Sequence, residues 1–200
     1  MKTPKRPYHH GNLRDAVIEL ALKSLETHGS QNLSLRELSR DLEVSHSAFR
    51  RHFLDKQALL NALAIHGFEQ YGDVLARAIA DRDADFDSRL VKVVRSMVRF
   101  AGTHPVLLEL MFASKNHPDA PPELLEASER ALYSGPQLIA EGQKAGRVIP
   151  GDPIRLALAP FAAVHGLIAL SQNGALLGAP LDRLARETVE QIIMGLRPRD

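Results

Sequence analysis

Between residues 34 and 56, three residues of the helix-capping type, Ser34, Ser45 and Asp55, each stand directly before an apolar-periodic segment. That punctuation leaves room for two very short helices and the start of a longer one. Ser34-Leu35-Arg36-Glu37 reads as a capping box, in which the Ser34 hydroxyl accepts from a first-turn N–H and the Glu37 carboxylate reaches back. The helix it opens keeps Leu35, Leu38 and Leu42 on one side. Ser45 caps a second short helix to about His52, and Asp55 caps a long one from Lys56 to about Ala80. Two short helices joined by a tight turn are compatible with a helix-turn-helix.

The remaining chain is helical in pattern as well. After Asn12 come Leu13, Ala16, Val17, Leu20, Ala21 and Leu25 at helical spacing, with His28-Gly29 as a stop. Residues 81–87 are a charged spacer. Leu90, Val93, Val94, Met97 and Phe100 mark the next helix, which ends near His104-Pro105, and a short apolar helix covers 106–112. Residues 114–122 read as a Pro-containing loop. The helix from Glu123 to about Gly146 should kink or break at Pro136, which removes a hydrogen bond and crowds the preceding turn. Asp152-Pro153 opens a helix to about Gln172, and a last helix carries Leu181, Leu184, Thr188, Ile192 and Leu196. No strand or internal repeat is legible. The expected fold is all-α with about nine helices. The expected division is a three-helix unit over residues 1–56 and a larger helical unit over 57–200, with the helix from 56 to 80 connecting them.

Composition narrows the function classes. There are no Cys residues, which excludes disulfides, thiolate metal sites and cysteine nucleophiles. Residues 1–12 are basic and polar without the apolar run of a signal peptide. The most apolar stretch, 154–170, is interrupted by Arg155, Pro160 and His165 and falls short of a membrane span. A cytoplasmic chain is expected. The net charge of +1 is unevenly divided: residues 1–56 carry ten Lys/Arg against seven Asp/Glu, and five of the nine His. No phosphate-cradling Gly loop, nucleophile elbow or carboxylate–His metal pattern is present, so no enzyme and no cofactor is expected. His9-His10, His104 and His117 lack ligand spacing. Asp83, Asp85 and Asp87 lack the Gly and distal Glu of a calcium loop.

On the second short helix, Ala48, Phe49 and Phe53 can face inward, which turns His46, Ser47 and Arg50 outward at spacings of three and four. Such a face can enter a major groove, where Arg forks to guanine and Ser or His bonds base edges. Arg36 and Arg40 can reach the flanking DNA, and Lys56, just after the Asp55 cap, can hold a phosphate with the free N–H groups of the helix start.

Tyr8-His9-His10-Gly11-Asn12-Leu13-Arg14, Leu33-Ser34-Leu35-Arg36-Glu37-Leu38, Val44-Ser45-His46 and the run from Arg51 through Asp55-Lys56 to Leu60 resemble the N-terminal domain of TetR-family transcriptional regulators. The resemblance implies that Arg36, His46, Ser47 and Arg50 touch bases or nearby phosphates, that Ser45, His52 and Lys56 hold phosphates, and that Phe53 packs inside. Two positions depart from the pattern: Glu43 stands where the family has Gly in the turn, and Arg50 where it has Tyr. The segment Pro160-Phe161-Ala162-Ala163-Val164-His165-Gly166-Leu167 is similar to that of a subgroup with Trp followed by His-Gly, Phe161 replacing the Trp.

The resemblance implies a homodimer built on the last two helices, an internal pocket for a small effector, and repression of a near-palindromic double-stranded operator. The residues agree in part. The helix from 154 to 170 is apolar on nearly all sides, as though buried all round. Ala159, Ala163, Gly166 and Ala169 form a small-residue stripe for close helix approach, and Leu181, Leu184, Thr188 and Ile192 supply a second face. The same helices can instead complete a monomeric core. Met97, Phe100, Met111, Phe112 and Tyr133 can line an effector cavity or simply fill the interior, and His165 stands alone among apolar neighbours as a core histidine or a pocket contact. The competing function class is a helical ligand-binding or protein-interaction module without specific DNA binding.

Overall fold

The computed structural model describes residues 13–176 and 178–199. The Asn12 cap, the Tyr8–Asn12 part of the motif and His9-His10 lie outside the described residues. Among these residues the chain forms ten helices and no strand: α1 (Leu13–His28), α2 (Leu35–Asp41), α3 (His46–Arg50), α4 (Lys56–Ile79), α5 (Phe86–Thr103), α6 (Pro105–Lys115), α7 (Pro122–Leu132), α8 (Ser134–Lys144), α9 (Pro153–Gln172) and α10 (Leu181–Leu196). The tenth helix comes from the break expected near Pro136. It falls at Tyr133, so that Pro136 occupies the first turn of α8, where its missing N–H has no intrahelical partner to lose.

The three caps of the N-terminal region are formed. Ser34 Oγ accepts from Glu37 N–H at 3.4 Å, Ser45 Oγ from Ala48 N–H at 3.2 Å and Asp55 Oδ1 from Ala58 N–H at 2.8 Å. Phe49 and Phe53 are buried with their rings 5.9 Å apart, and they join Val17, Ala21 and Leu25 of α1 in the core. Burial of two Phe rings supplies on the order of 3–6 kcal/mol towards holding so short a helix as α3 in place.

Helix α4 organises the rest, packing against α1, α5, α6, α7 and α8. Close approach is possible where α4 has no side chain. A Cβ on Gly67 would stand 2.6 Å from Met111 Sδ of α6, and one on Gly72 would stand 3.0 Å from the Ala131 Cα of α7. Its far end is clamped by Arg89, buried on α5. Arg89 Nε and Nη2 donate to the Ile79 carbonyl at 3.0 and 2.7 Å, and Nη2 also reaches Glu141 Oε2 of α8 at 2.6 Å.

Helix α9 differs from its sequence reading in two ways. It is long and apolar enough, by length and composition, to cross a membrane, despite Pro160 within it. It is also buried on one stripe only, Ala157, Pro160, Val164 and Ile168, instead of all round. The opposite face is exposed, and the helices that pack against α9 are α5, α8 and α10.

Candidate nucleic-acid interface and effector cavity

The turn between α2 and α3 is the tightest element of the N-terminal unit. Glu43 has φ +53°, the one non-Gly residue with positive φ among the described residues. The Glu43 N–H donates to Arg40 O at 3.0 Å and the Val44 N–H to Ser39 O at 3.0 Å. This pair of bonds is the Schellman ending of α2, with Glu43 at the left-handed position that Gly fills at least cost. Val44 then packs back on the core and aims the chain into the Ser45 cap.

That cap sets the orientation of α3. With Phe49 turned inward, His46, Ser47 and Arg50 are exposed on one side, and Arg36, Ser45 and His52 are exposed around them. Ser45 and Ser47 share a hydrogen bond, Oγ to Oγ, at 3.1 Å. Arg40 is exposed beside Asp41, with Nε 3.4 Å from Oδ1. Lys56 is half-buried, and its Nζ donates to the Gln31 carbonyl at 2.6 Å, tying the start of α4 to the α1–α2 loop. One of the three ammonium donors is thereby engaged locally. Two residues that were not singled out by sequence belong to the same surface. Leu54 is exposed between α3 and α4, and the Arg14 guanidinium lies 5.9 Å from the Phe53 ring centre, beside the base of α3. Arg14 stood within the family-like motif, but no spacing rule connects it to Phe53.

The C-terminal unit has a partly open cavity of about 260 Å³ between α4, α5, α7, α8 and α9. Met97 is the one residue of the expected set that lines it. The others are placed elsewhere, for packing reasons. Phe100 meets Tyr71 edge-on at 5.0 Å and borders a polar cleft between α4 and α5 instead. Met111 is fully buried over Gly67. Phe112 joins Phe68, Phe161 and His165 in an aromatic cluster. Tyr133 caps α7 with 63% of its surface exposed. His165 lies against Phe112 at 4.5 Å and stacks on Phe161 at 4.8 Å; burial holds its pKa below the ordinary 6.5, and its buried Nδ1 has no hydrogen-bond partner among the described residues. Phe161, on which that imidazole stacks, also lines the cavity.

Of the candidate interface residues, Ala159, Gly166 and Ala169 are exposed and Ala163 is half-buried on the open face of α9. Leu181, Leu184, Thr188 and Ile192 are half-buried beside the core stripe of α10, Ala185, Val189, Ile193 and Leu196. Leu158, Leu170 and Met194 are large exposed apolar side chains on these two helices. Among the described residues, no three of His, Asp and Glu converge as a metal site.

A helix-turn-helix whose second helix presents an exposed polar face is a DNA-binding architecture. Residues 17–63 match the family described as bacterial regulatory proteins, tetR family, and residues 90–193 match the tetracyclin repressor-like C-terminal domain. The chain belongs to the TetR family. An HTH-type transcriptional regulator of Mycobacterium tuberculosis is 30% identical over 112 residues, 52% of this chain and 48% of the relative, so the chain spans about half the length of that relative in the match. A protein of unknown function from Rhodococcus sp. RHA1 is 38% identical and superposes with a TM-score of 0.90 over 97% of this chain and 100% of its own. The fold is shared with a Saccharomonospora viridis protein solved in complex with choline, at 21% identity and a TM-score of 0.75 over 94% of this chain and 100% of that one.

Proposed function

We propose that this chain is a homodimeric, sequence-specific DNA-binding regulator of transcription, acting in the bacterial cytoplasm as a repressor that a small molecule releases from its operator. The observation that carries the reading is the α2–turn–α3 unit, whose outward face offers His46, Ser47 and Arg50 together while its inward face is locked by Phe49 and Phe53. Arg36, Ser45, His52 and Lys56 surround that face as phosphate-holding groups, and the dividing point between the DNA-binding unit and the effector-binding unit is Lys56.

Two such units held by one dimer read two half-sites whose centres lie about one helical turn of DNA, or a multiple of it, apart. The open face of α9, with the small residues Ala159, Ala163, Gly166 and Ala169, supports pairing through α9 and α10 into a four-helix contact. The effector acts from the cavity. Leu75 of α4 lines it, and the same helix begins at the DNA-binding unit, so a ligand that prefers one tilt of α4 changes the separation of the two α3 helices. The shift is limited to the difference in its affinity for the two states. The choline bound by the Saccharomonospora protein supports a small-molecule role for the C-terminal unit of this fold.

Selection from random duplex DNA, followed by gel shift across a salt series, tests the reading. A near-palindromic sequence should emerge, bound on the order of 10³-fold or more above bulk competitor with a steep salt slope. No enriched sequence at any salt concentration would leave a ligand-binding or interaction module as the better description.

A further inference from the structure

The cavity between α8 and α9 has an unusual lining: thirteen residues form it, and none carries a hydroxyl, amide or ionisable group. Leu75 of α4, Met97 of α5, Leu132 of α7, Ile139 of α8 and Phe161 of α9 are among the residues that line it. Its emptiness has a local cause. Gly135 and Ala157 lie close together on its wall, where a Cβ on Gly135 would stand in ordinary van der Waals contact with that of Ala157 at 3.7 Å, and Pro136 and Pro160 contribute rings in place of long side chains. Ile154 and Leu158 flank the mouth, 61% and 56% exposed, so the interior communicates with solvent past movable side chains.

We propose that this cavity binds a neutral, apolar molecule of about ten non-hydrogen atoms, an inference that rests on the effector reading of the C-terminal unit. The size follows from the volume. A cavity of about 150 Å³ lined by apolar side chains holds the six carbons of benzene, so 260 Å³ accommodates about ten. The charge follows from the lining. An ionised carboxylate or ammonium would lose its hydration and find no side-chain partner, a cost that an uncharged hydrocarbon of equal size does not bear. A single ring, Phe161, does not make the aromatic cage that a cation requires.

Three probes of one size separate the possibilities: naphthalene, 1-naphthoate and 1-naphthylmethylammonium, titrated against the full chain by equilibrium dialysis. Naphthalene should saturate one site per protomer and bind at least tenfold more tightly than either ion. Ala157→Leu, which projects a larger side chain into the void, should weaken naphthalene at least tenfold. Should Ala157→Leu not fold, Ile154→Lys at the exposed mouth serves instead, and should bring 1-naphthoate to within about threefold of naphthalene by offering its carboxylate a partner. Absence of saturable naphthalene binding, equal binding of either ion, wild-type affinity in Ala157→Leu, or an unchanged ion preference in Ile154→Lys each overturns the proposal. Any of these with operator binding intact leaves the DNA-binding reading standing. Tight naphthalene binding with no enriched DNA sequence does the reverse.

Discussion

The Glu26 carboxylate of α1 accepts the Leu107 backbone N–H at 3.2 Å, serving as the cap that α6 lacks in its own sequence. His104, at the N-cap position, makes no side-chain cap bond, and Pro105 begins the helix. The partner therefore comes from the N-terminal helix α1, and the carboxylate also faces the positive end of the α6 dipole. Glu26→Ala should lower the free energy of unfolding by about 1 kcal/mol, the usual cost of losing a cap, and Glu26→Gln by less, because its amide oxygen still accepts. Urea unfolding of the two variants checks this; equal losses would mean that the hydrogen bond contributes nothing beyond charge.

A second interhelical contact is sensitive to pH. The Arg89 hydrogen bond holds the Glu141 carboxyl below its ordinary 4.5, helped by Gln137 and opposed by partial burial. A carboxyl whose pKa is depressed on folding stabilises the fold above its unfolded value and loses that contribution as pH falls through the lower folded value. Stability should thus decline as pH drops below about 4.5, and Glu141→Gln should flatten that limb, the two proteins converging in acid. At neutral pH, Arg89→Met should cost about 3 kcal/mol, since it leaves Glu141 without its cation and the Ile79 carbonyl without a donor. Thermal melts between pH 3 and pH 7 read both effects.

These contacts were not legible in the sequence, whereas the helix-turn-helix was. Caps and apolar spacing are local, so Ser34, Ser45 and Asp55 could be read in order, and Phe49 and Phe53 assigned inward. Arg89 precedes an apolar stripe and looks like any charged neighbour of Leu90; its partners are 10 and 52 residues away. The lining of the cavity is not legible in the sequence for a related reason. Large side chains such as Phe100 and Met111 suggest a lined pocket, yet large side chains fill space, and the void lies where Gly135, Ala157 and two prolines leave it. Helix α9 reads as buried all round because its composition is apolar, while one chain supplies cover for only one stripe.

Glu43 is a point where the turn chemistry resists the fold. Its left-handed backbone costs an L-residue about 1–2 kcal/mol that Gly does not incur, partly offset by the greater freedom of Gly when unfolded. Glu43→Gly should therefore stabilise the protein by up to about 1 kcal/mol. It also removes an exposed negative charge next to the proposed DNA face, so affinity for all duplexes should rise together. A melting temperature below wild type would show that Glu43 makes a compensating contact in the folded turn.

Gly166 separates assembly from folding. A Cβ there meets nothing within 4 Å in the protomer, so Gly166→Leu should leave the individual fold intact apart from the change in helix propensity. Across a close α9–α9 contact, the same side chain would force the helices apart. Sedimentation should show monomers with native helicity. An unchanged dimer would remove Gly166 from the contact, though not the dimer itself.

The sharpest division on the DNA face is between Lys56 and Ser47. Lys56 stands at the start of α4 and also holds the Gln31 carbonyl; in the role proposed for it, its remaining donors hold a phosphate, a group common to every sequence. Lys56→Ala should weaken specific and non-specific duplexes alike and reduce the slope of log K against log salt by about 1. Lys56→Arg should restore much of the slope, which separates the charge from the loop contact. Ser47 Oγ, bonded to Ser45 Oγ and exposed on α3, can turn to a base edge. Ser47→Ala leaves the charge unchanged, so the slope should hold while preference relaxes at one or two operator positions by on the order of 1 kcal/mol. Selected-sequence profiles for the two variants decide between the roles. A profile unaltered by Ser47→Ala but rewritten by Lys56→Ala would reverse the assignment of which residue reads and which one positions.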